Sequence, residues 1–197
     1  MQLLNELYPK RVTLKNGRTV TIRPLQKDDV ELLYQFFLAS VSEEELLLMK
    51  HNVKDRFLIE SWCTHLDYQR VLPLVAVTEE GNIIGEATLH RTDFGWSSRI
   101  AKIRCVTCNR CRGMGLGRTL FSELLAIARL EGKDKVWAEV LSSQLAPASV
   151  LKQLGFERVA VVPRLARDLF GNTHDLWIYI YDFTGEEAMK RAFEDAY

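Results

Sequence analysis

IAKIRCVTCNRCRGMGLGRTLFSELLAIARL, residues 100–130, sets a β-prone run, a glycine-rich turn and an apolar-periodic helix end to end. The strand is expected over residues 98–108 and the turn over 113–117. The helix continues to about Leu130, and Gly132 ends it. Gly113, Gly115 and Gly117 leave backbone N–H groups unobstructed at a helix N-terminus, where the helix dipole also favours negative charge. Such a turn cradles a phosphate or pyrophosphate. The surrounding charge agrees. From Phe94 to Ser122 there is no Asp or Glu, whereas Arg99, Lys102, Arg104, Arg110, Arg112 and Arg118 all fall inside. The expectation is an anionic ligand. A Walker loop is disfavoured, because Arg118-Thr119 stands where Lys-Ser/Thr is needed and the glycine spacing differs. A dinucleotide fingerprint wants G-x-G-x-x-G, and this turn has G-x-G-x-G.

Upstream, VTLKNGRTVTIRP (residues 12–24) is a hairpin turning at Asn16-Gly17. Asp28-Asp29 leads into a helix with Val30, Leu32, Leu33, Phe36 and Phe37 on its apolar face. A second helix is expected from Ser42, with Glu45 closing a capping box, and a third over about 54–67. Residues 71–78 and 82–90 are strands joined at Gly81-Asn82. Downstream come a strand at 135–141, a helix at 146–154 stopped by Gly155, strands near 156–162 and 175–183, and a helical tail over about 185–196. The expected fold class is therefore α+β, one domain over residues 1–197 around a central sheet. It is not doubly wound, because the middle strands form a meander.

With 26 Lys+Arg against 26 Asp+Glu, the 197-residue chain has no net charge, which argues against nonspecific nucleic-acid binding. No apolar run reaches the roughly 18 residues that span a bilayer. MQLLNELYPKR lacks the pattern of a signal peptide, so a cytoplasmic location is expected, with neither nucleic acid nor membrane as a partner. Cys105, Cys108 and Cys111 fall at intervals of three, but the fourth cysteine, Cys63, is distant, and His51, His65, His90 and His174 are scattered singly. No metal is expected, and the cysteines are read as reduced thiols, mostly buried.

Arg112-Gly-Met-Gly115-Leu-Gly117 resembles the Arg/Gln-x-x-Gly-x-Gly loop of the GNAT superfamily of acyl-CoA-dependent N-acetyltransferases. A second segment, KVWAEVLSS, then Gln144 and LAPASVLKQLGFERV, is similar to the family's second signature, which ends in a Gly-Phe pair, here Gly155-Phe156. The likeness covers residues 12–183. In its N-terminal half it is nearest to bacterial protein lysine acetyltransferases, on TVTIRP (19–24), Asp28-Asp29 and Phe36-Phe37. The resemblance implies a mixed, mostly antiparallel sheet whose pre-loop strand splays from its neighbour. It implies acetyl-CoA as co-substrate and direct attack by an amine, either a small molecule or a protein amine. A homodimer is also implied, since many relatives dimerise. Cys105, Val106 and Thr107 would hold the pantetheine arm through their backbone, with the Cys105 amide polarising the thioester carbonyl. Arg112 takes the motif's first position. The backbone of Gly113, Met114, Gly115, Leu116, Gly117 and Arg118 would take the pyrophosphate.

The sequence departs from the family's pattern at the chemistry. Leu151 stands where a Tyr often protonates the departing thiolate, and Gln144 where an Asn often lies. Lys102 stands where the protein acetyltransferases carry a Glu base. Glu86, Glu139 and His174 are the alternatives for that base. A CoA-binding regulatory module without strong catalysis is the competing reading. Strand alternation puts Lys102, Arg104 and Val106 on one face, which anticipates an acceptor that carries an acidic group.

Overall fold

The computed structural model describes residues 2–46, 49–168 and 170–185. In chain order the elements are α1 (Gln2–Leu7), β1 (Lys10–Thr13), β2 (Thr19–Pro24), α2 (Val30–Ser40), α3 (Glu43–Leu46), α4 (Arg56–Thr64), β3 (Val71–Thr78) and β4 (Ile83–His90). There follow β5 (Ile100–Thr107), α5 (Leu116–Leu130), β6 (Lys135–Leu141), α6 (Leu145–Gln153), β7 (Glu157–Arg167) and β8 (Thr173–Asp182). The C-terminal helix expected over 185–196 lies beyond Gly185, outside the described residues.

The strands form one eight-stranded sheet in the order β1-β2-β3-β4-β5-β6-β8-β7. β1 to β5 are an antiparallel meander, as the short turns at Asn16-Gly17 and Gly81-Asn82 require. The one parallel contact, β5 with β6, needs a crossover, and α5 supplies it. This is the mixed, mostly antiparallel α+β architecture expected from the sequence.

Each sheet face buries its own apolar cluster. α5 turns Leu116, Leu120, Phe121, Leu124, Ile127 and Ala128 onto one face, over Ala87, Ala101, Ile103 and Ala138. That spacing is one stripe of a 3.6-residue period. The helix comes close where Gly85 lies, since a Cβ there would stand 3.0 Å from Leu120 Cδ1 and 3.1 Å from a Leu116 methyl. α2 and α4 cover the other face with Leu33, Phe36, Phe37, Ile59 and Cys63 against Val75 and Ile83. Arg23, reaching from β2, locks the start of α2 through a two-pronged ion pair with Asp29 at 2.6 and 2.7 Å. The Ser42–Glu45 capping box forms in both directions, at 3.0 and 3.1 Å.

α1 has no reading in the sequence: its Leu3, Leu4 and Leu7 keep helical spacing, but over only six residues. Leu4 is nonetheless buried in the α5-side cluster, as is Tyr8 just after the helix. Cys108 and Cys111 are not reduced thiols but a disulfide, with Cα atoms 5.3 Å apart. The cause is local. A 3-10 turn at Asn109–Cys111, in which the Cys111 N–H donates to the Cys108 carbonyl at 2.9 Å, folds the chain back on itself and brings the two side chains together. Cys63 and Cys105 remain free. Among the described residues no group of three or more His, Cys, Asp or Glu could hold a metal.

Candidate active site

β5 and β6 pair over only three residues, Ile100–Lys102 against Lys135–Trp137, and then separate. On its other edge β5 stays paired with β4 as far as Thr107. The Cys108 N–H donates to the Ile84 carbonyl at 2.9 Å, so Ile84/Cys108 and every second pair before it, Glu86/Val106 and Thr88/Arg104, are the hydrogen-bonded ones. The N–H groups of Cys105 and Thr107 therefore point away from β4, toward the gap where β6 has departed. The strand thus splays from β6, and its unpaired donors are those of Cys105 and Thr107; the backbone of Val106, expected to act with them, is instead taken up by its pairing with Glu86.

The glycine turn stands at the end of this strand. Gly113 and Gly115 have φ of 79° and 84°, a left-handed backbone that favours glycine, and Gly115 is the N-cap of α5. Gly117 does not have positive φ, and its room is ordinary. A helix leaves its first N–H groups without intrahelical partners, so the amides of Gly115, Leu116, Gly117 and Arg118 are available at its start, and among the described residues no backbone carbonyl takes the Gly113 amide. The Met114 amide does not join them. It donates to the Cys111 carbonyl at 3.3 Å, while the Met114 carbonyl accepts from Lys15 N–H at 3.1 Å. The β1–β2 turn thus braces the loop from outside, and Asn16 Nδ2 reaches Met114 Sδ at 3.2 Å. The cradle of outward donors fits a pyrophosphate.

The cations of the acid-free stretch divide. Arg99 pairs with Asp134, Lys102 with Glu139 and Arg112 with Glu45. Arg112 therefore ties the loop to the capping box before α3 rather than standing free. Arg104, Arg110 and Arg118 have no carboxylate partner within ion-pair distance among the described residues.

A cavity of about 460 Å³ passes through the β5–β6 gap. Ile103, Cys105, Phe121 and Leu151 line it from the α5 side, and Phe37, Trp62, Glu86, Thr88, Arg104 and Val106 from the α2–α4 side. Apolar walls from Phe37, Trp62, Phe121 and Leu151, with charged and polar groups set among them, suit a small ligand. Glu86, paired with Val106 in the ladder, is buried, and no hydrogen bond reaches its carboxylate among the described residues. Burial pushes its carboxyl up from 4.5 to about 7, against the pull of Arg104. Glu139 also lines the cavity, but Lys50 and Lys102 hold it at 2.5 and 2.8 Å. Burial would raise its pKa, and the two ammonium groups more than offset this and keep it ionised. His90 is pushed down to about 4, first by burial and then by Arg104, Lys102 and His51, so it is neutral near pH 7.

Of the three alternatives for the base, Glu86 and Glu139 meet in this cavity and His174 does not. His174 faces Asp168 at 3.0 Å near the β7–β8 turn and lines no part of the cavity. The Cys105 thiol is held protonated by burial and then by the Glu86 charge, which makes it a poor nucleophile. Gln144 caps its own turn, accepting from Leu141 N–H at 3.1 Å through Oε1, and also lines the cavity. Leu151 is fully buried beside it. Lys50, His51 and Trp62 were not anticipated in the site. They come from the connection around α4, and no spacing in the sequence announces which part of the sheet that segment crosses.

The Acetyltransferase (GNAT) family model matches residues 33–156, more than half of the chain. The chain belongs to this family of acetyltransferases. Among solved structures it is similar to yncA of Salmonella typhimurium, solved with its cofactor acetyl-CoA. That match has 23% identity, covers 83% of this chain and 93% of that one, and has a TM-score of 0.69. The GNAT domain of S. lividans PAT matches at 20% identity over 88% and 96% of the two chains, TM-score 0.71. A ribosomal-protein-alanine N-acetyltransferase from Brucella melitensis matches at 20% identity over 82% and 99%, TM-score 0.69. At these identities the likeness carries the fold. Among the described residues no helix is long and apolar enough to cross a membrane.

Proposed function

We propose that the protein is an acetyl-CoA-dependent amine N-acetyltransferase, one domain over its whole length, with Glu86 as general base. The observation that carries this is a buried carboxylate free of hydrogen bonds, in one cavity with the unpaired strand edge at Cys105. When bound, acetyl-CoA supplies a thioester whose carbon–sulfur bond is replaced by a carbon–nitrogen bond to the acceptor. The outward amides of Gly113, Gly115, Leu116, Gly117 and Arg118 hold the pyrophosphate at the start of α5. The strand edge at Cys105 and Thr107 would carry the pantetheine arm, since the Val106 backbone is turned to Glu86 on β4. The Cys105 N–H, unpaired on the edge of β5, would donate to the acyl oxygen, where negative charge develops. Glu86 accepts the proton of the attacking amine, directly or through one water, and a carboxyl with a pKa near 7 suits that task near neutral pH. Leu151 offers no acid for the leaving thiolate. A thiol pKa near 8.5 makes the thiolate a tolerable leaving group, protonated by solvent.

Glu86 supports catalysis over a purely CoA-binding regulatory module, because it supplies from β4 the carboxylate that Lys102 replaces on β5. The test is thiol release from acetyl-CoA with a broad panel of amines, beside calorimetric binding of CoA. Acetyl-CoA binding with turnover of at least one amine class is expected. CoA binding without turnover of any amine would favour the regulatory module, and the absence of CoA binding would overturn both.

A further inference from the structure

The acceptor end of the cavity carries an excess of positive charge that the chain does not neutralise. Lys50 and Lys102 share one carboxylate, Glu139. Arg104 sits two residues along β5 from Lys102 on the same sheet face, with no carboxylate of its own in ion-pair range among the described residues. A second cavity of about 340 Å³ opens from the same wall, sharing Lys50, Arg104, Glu139 and Gln144 and adding Arg167 from β7. At this corner Lys50, Arg104 and Arg167 line the two cavities against Glu139, which Lys102 also holds, while the second carboxylate on this face, Glu86, makes no ion pair among the described residues. Two other groups register the field. Arg104 and Lys102 help depress His90, and Lys50 and Arg104 help depress Lys102 itself, in each case after burial. Opposite this corner, Phe37, Trp62 and Leu66 give the cavity an apolar wall. An unmatched, half-buried guanidinium is costly unless a ligand anion completes it, and a forked guanidinium matches carboxylate or phosphate.

We propose that the acceptor is a small amine with an apolar body and its own carboxylate or phosphate, the anion seated on Arg104 between Lys50 and Arg167 and the amine directed to Glu86. This rests on the acetyltransferase reading and narrows it. A cationic peptide tail is disfavoured in this site, because it would bring like charge against Arg104 and Lys50.

The test uses matched pairs in which only the anion is removed: phenylalanine against phenethylamine, methionine against 3-(methylthio)propylamine, and O-phosphoethanolamine against ethanolamine. Binding to the full chain saturated with CoA is read by calorimetry, and turnover by thiol release from acetyl-CoA. A lysine-rich peptide is included in both. In at least one pair the acidic amine should bind and react at least tenfold better than its counterpart. Arg104→Gln should bring that ratio close to one, and Arg104→Lys should recover part of it. The ratio matters because Arg104 also acts on Glu86, which shifts both members of a pair together. Equal affinities within every pair, a preference for the peptide, or a ratio untouched in Arg104→Gln would overturn the proposal. Selective, Arg104-dependent binding without turnover would uphold the anion site and count against the acetyltransferase reading, so the two fail separately.

Discussion

Glu86 and Val106 face each other as a hydrogen-bonded pair of β4 and β5, next to the Cys105 amide that points the other way into the gap. Adjacent ladder positions therefore put the Glu86 carboxylate on the α2–α4 side of the sheet and an unpaired donor, the Cys105 N–H, at the edge that β6 leaves. Both groups are fixed by the same two strands, so their spacing depends on neither loop.

That arrangement makes Glu86→Gln informative in two directions. Activity should fall by about a hundredfold or more, the scale for losing a general base. Stability should move the opposite way. The folded-state pKa is raised from 4.5 to about 7, so the carboxyl's contribution is fully present below the unfolded value. It is lost as pH rises through 7. Removing the ionised group should then stabilise the protein at pH 8 by up to about 3 kcal/mol, read by urea unfolding, with little gain at pH 4. In the wild type the acidic limb of the pH–rate profile should inflect near 7. A variant with full activity, or one less stable at pH 8, would remove Glu86 from this role.

Gly115 and Gly117 look alike in the sequence and should behave differently. Gly115 has φ of 84°, and a Cβ there would stand 3.3 Å from Lys15 Cγ. Gly117 has no positive φ, and a Cβ there would meet only Thr107 Cγ2 at 3.8 Å. Gly115→Glu should abolish calorimetric CoA binding while circular dichroism keeps the fold. Gly117→Ala should keep its stability within about 0.5 kcal/mol, as substitutions free of a named clash do. Unchanged affinity in Gly115→Glu would sink the pyrophosphate reading of this loop.

The contrast between those glycines marks how far the sequence carries. Period and punctuation located the meander, the loop and α5 to within a residue or two, since these are local properties. In the sequence, β7 is expected near 156–162, short of Pro163. It continues to Arg167 through an irregularity in which Arg164 takes φ of 52°. Alternation placed Lys102, Arg104 and Val106 on one face, and Val106 indeed packs with the α2–α4 cluster. It could not reveal that Lys50 crosses from the α3–α4 connection to share Glu139. Nor could it separate Glu86 from His174, because burial and distance are set by packing.

Tyr179 offers a test of the core. It is fully buried on β8, and its hydroxyl has no hydrogen-bond partner among the described residues. A buried hydroxyl without a partner carries a desolvation cost of about 1–3 kcal/mol. Tyr179→Phe keeps the ring and removes that cost, so thermal unfolding should rise by a few degrees. A fall of that size would show that the hydroxyl has a partner which phenylalanine cannot satisfy.

The Cys108–Cys111 disulfide closes the turn between β5 and the glycine loop, with Cys111 buried and Arg112 beginning the loop directly after it. It cross-links so short a segment that the entropy it removes from the unfolded chain is worth only ~2 kcal/mol. Its larger effect should be on the loop. Arg112 is otherwise held by Glu45 at 2.6 Å and Met114 by Lys15, both through exposed contacts. Reduction, or the double substitution Cys108→Ser with Cys111→Ser, should therefore weaken acetyl-CoA binding severalfold. The acceptor KM should stay nearly constant, because Glu86 and Arg104 lie earlier in their ladders. The reduced wild type and the double variant should match each other in calorimetry and in steady-state kinetics. If both bind acetyl-CoA as tightly as the oxidised protein, the β1–β2 turn and the Arg112–Glu45 pair are sufficient to hold the loop, and the disulfide has no part in cofactor binding.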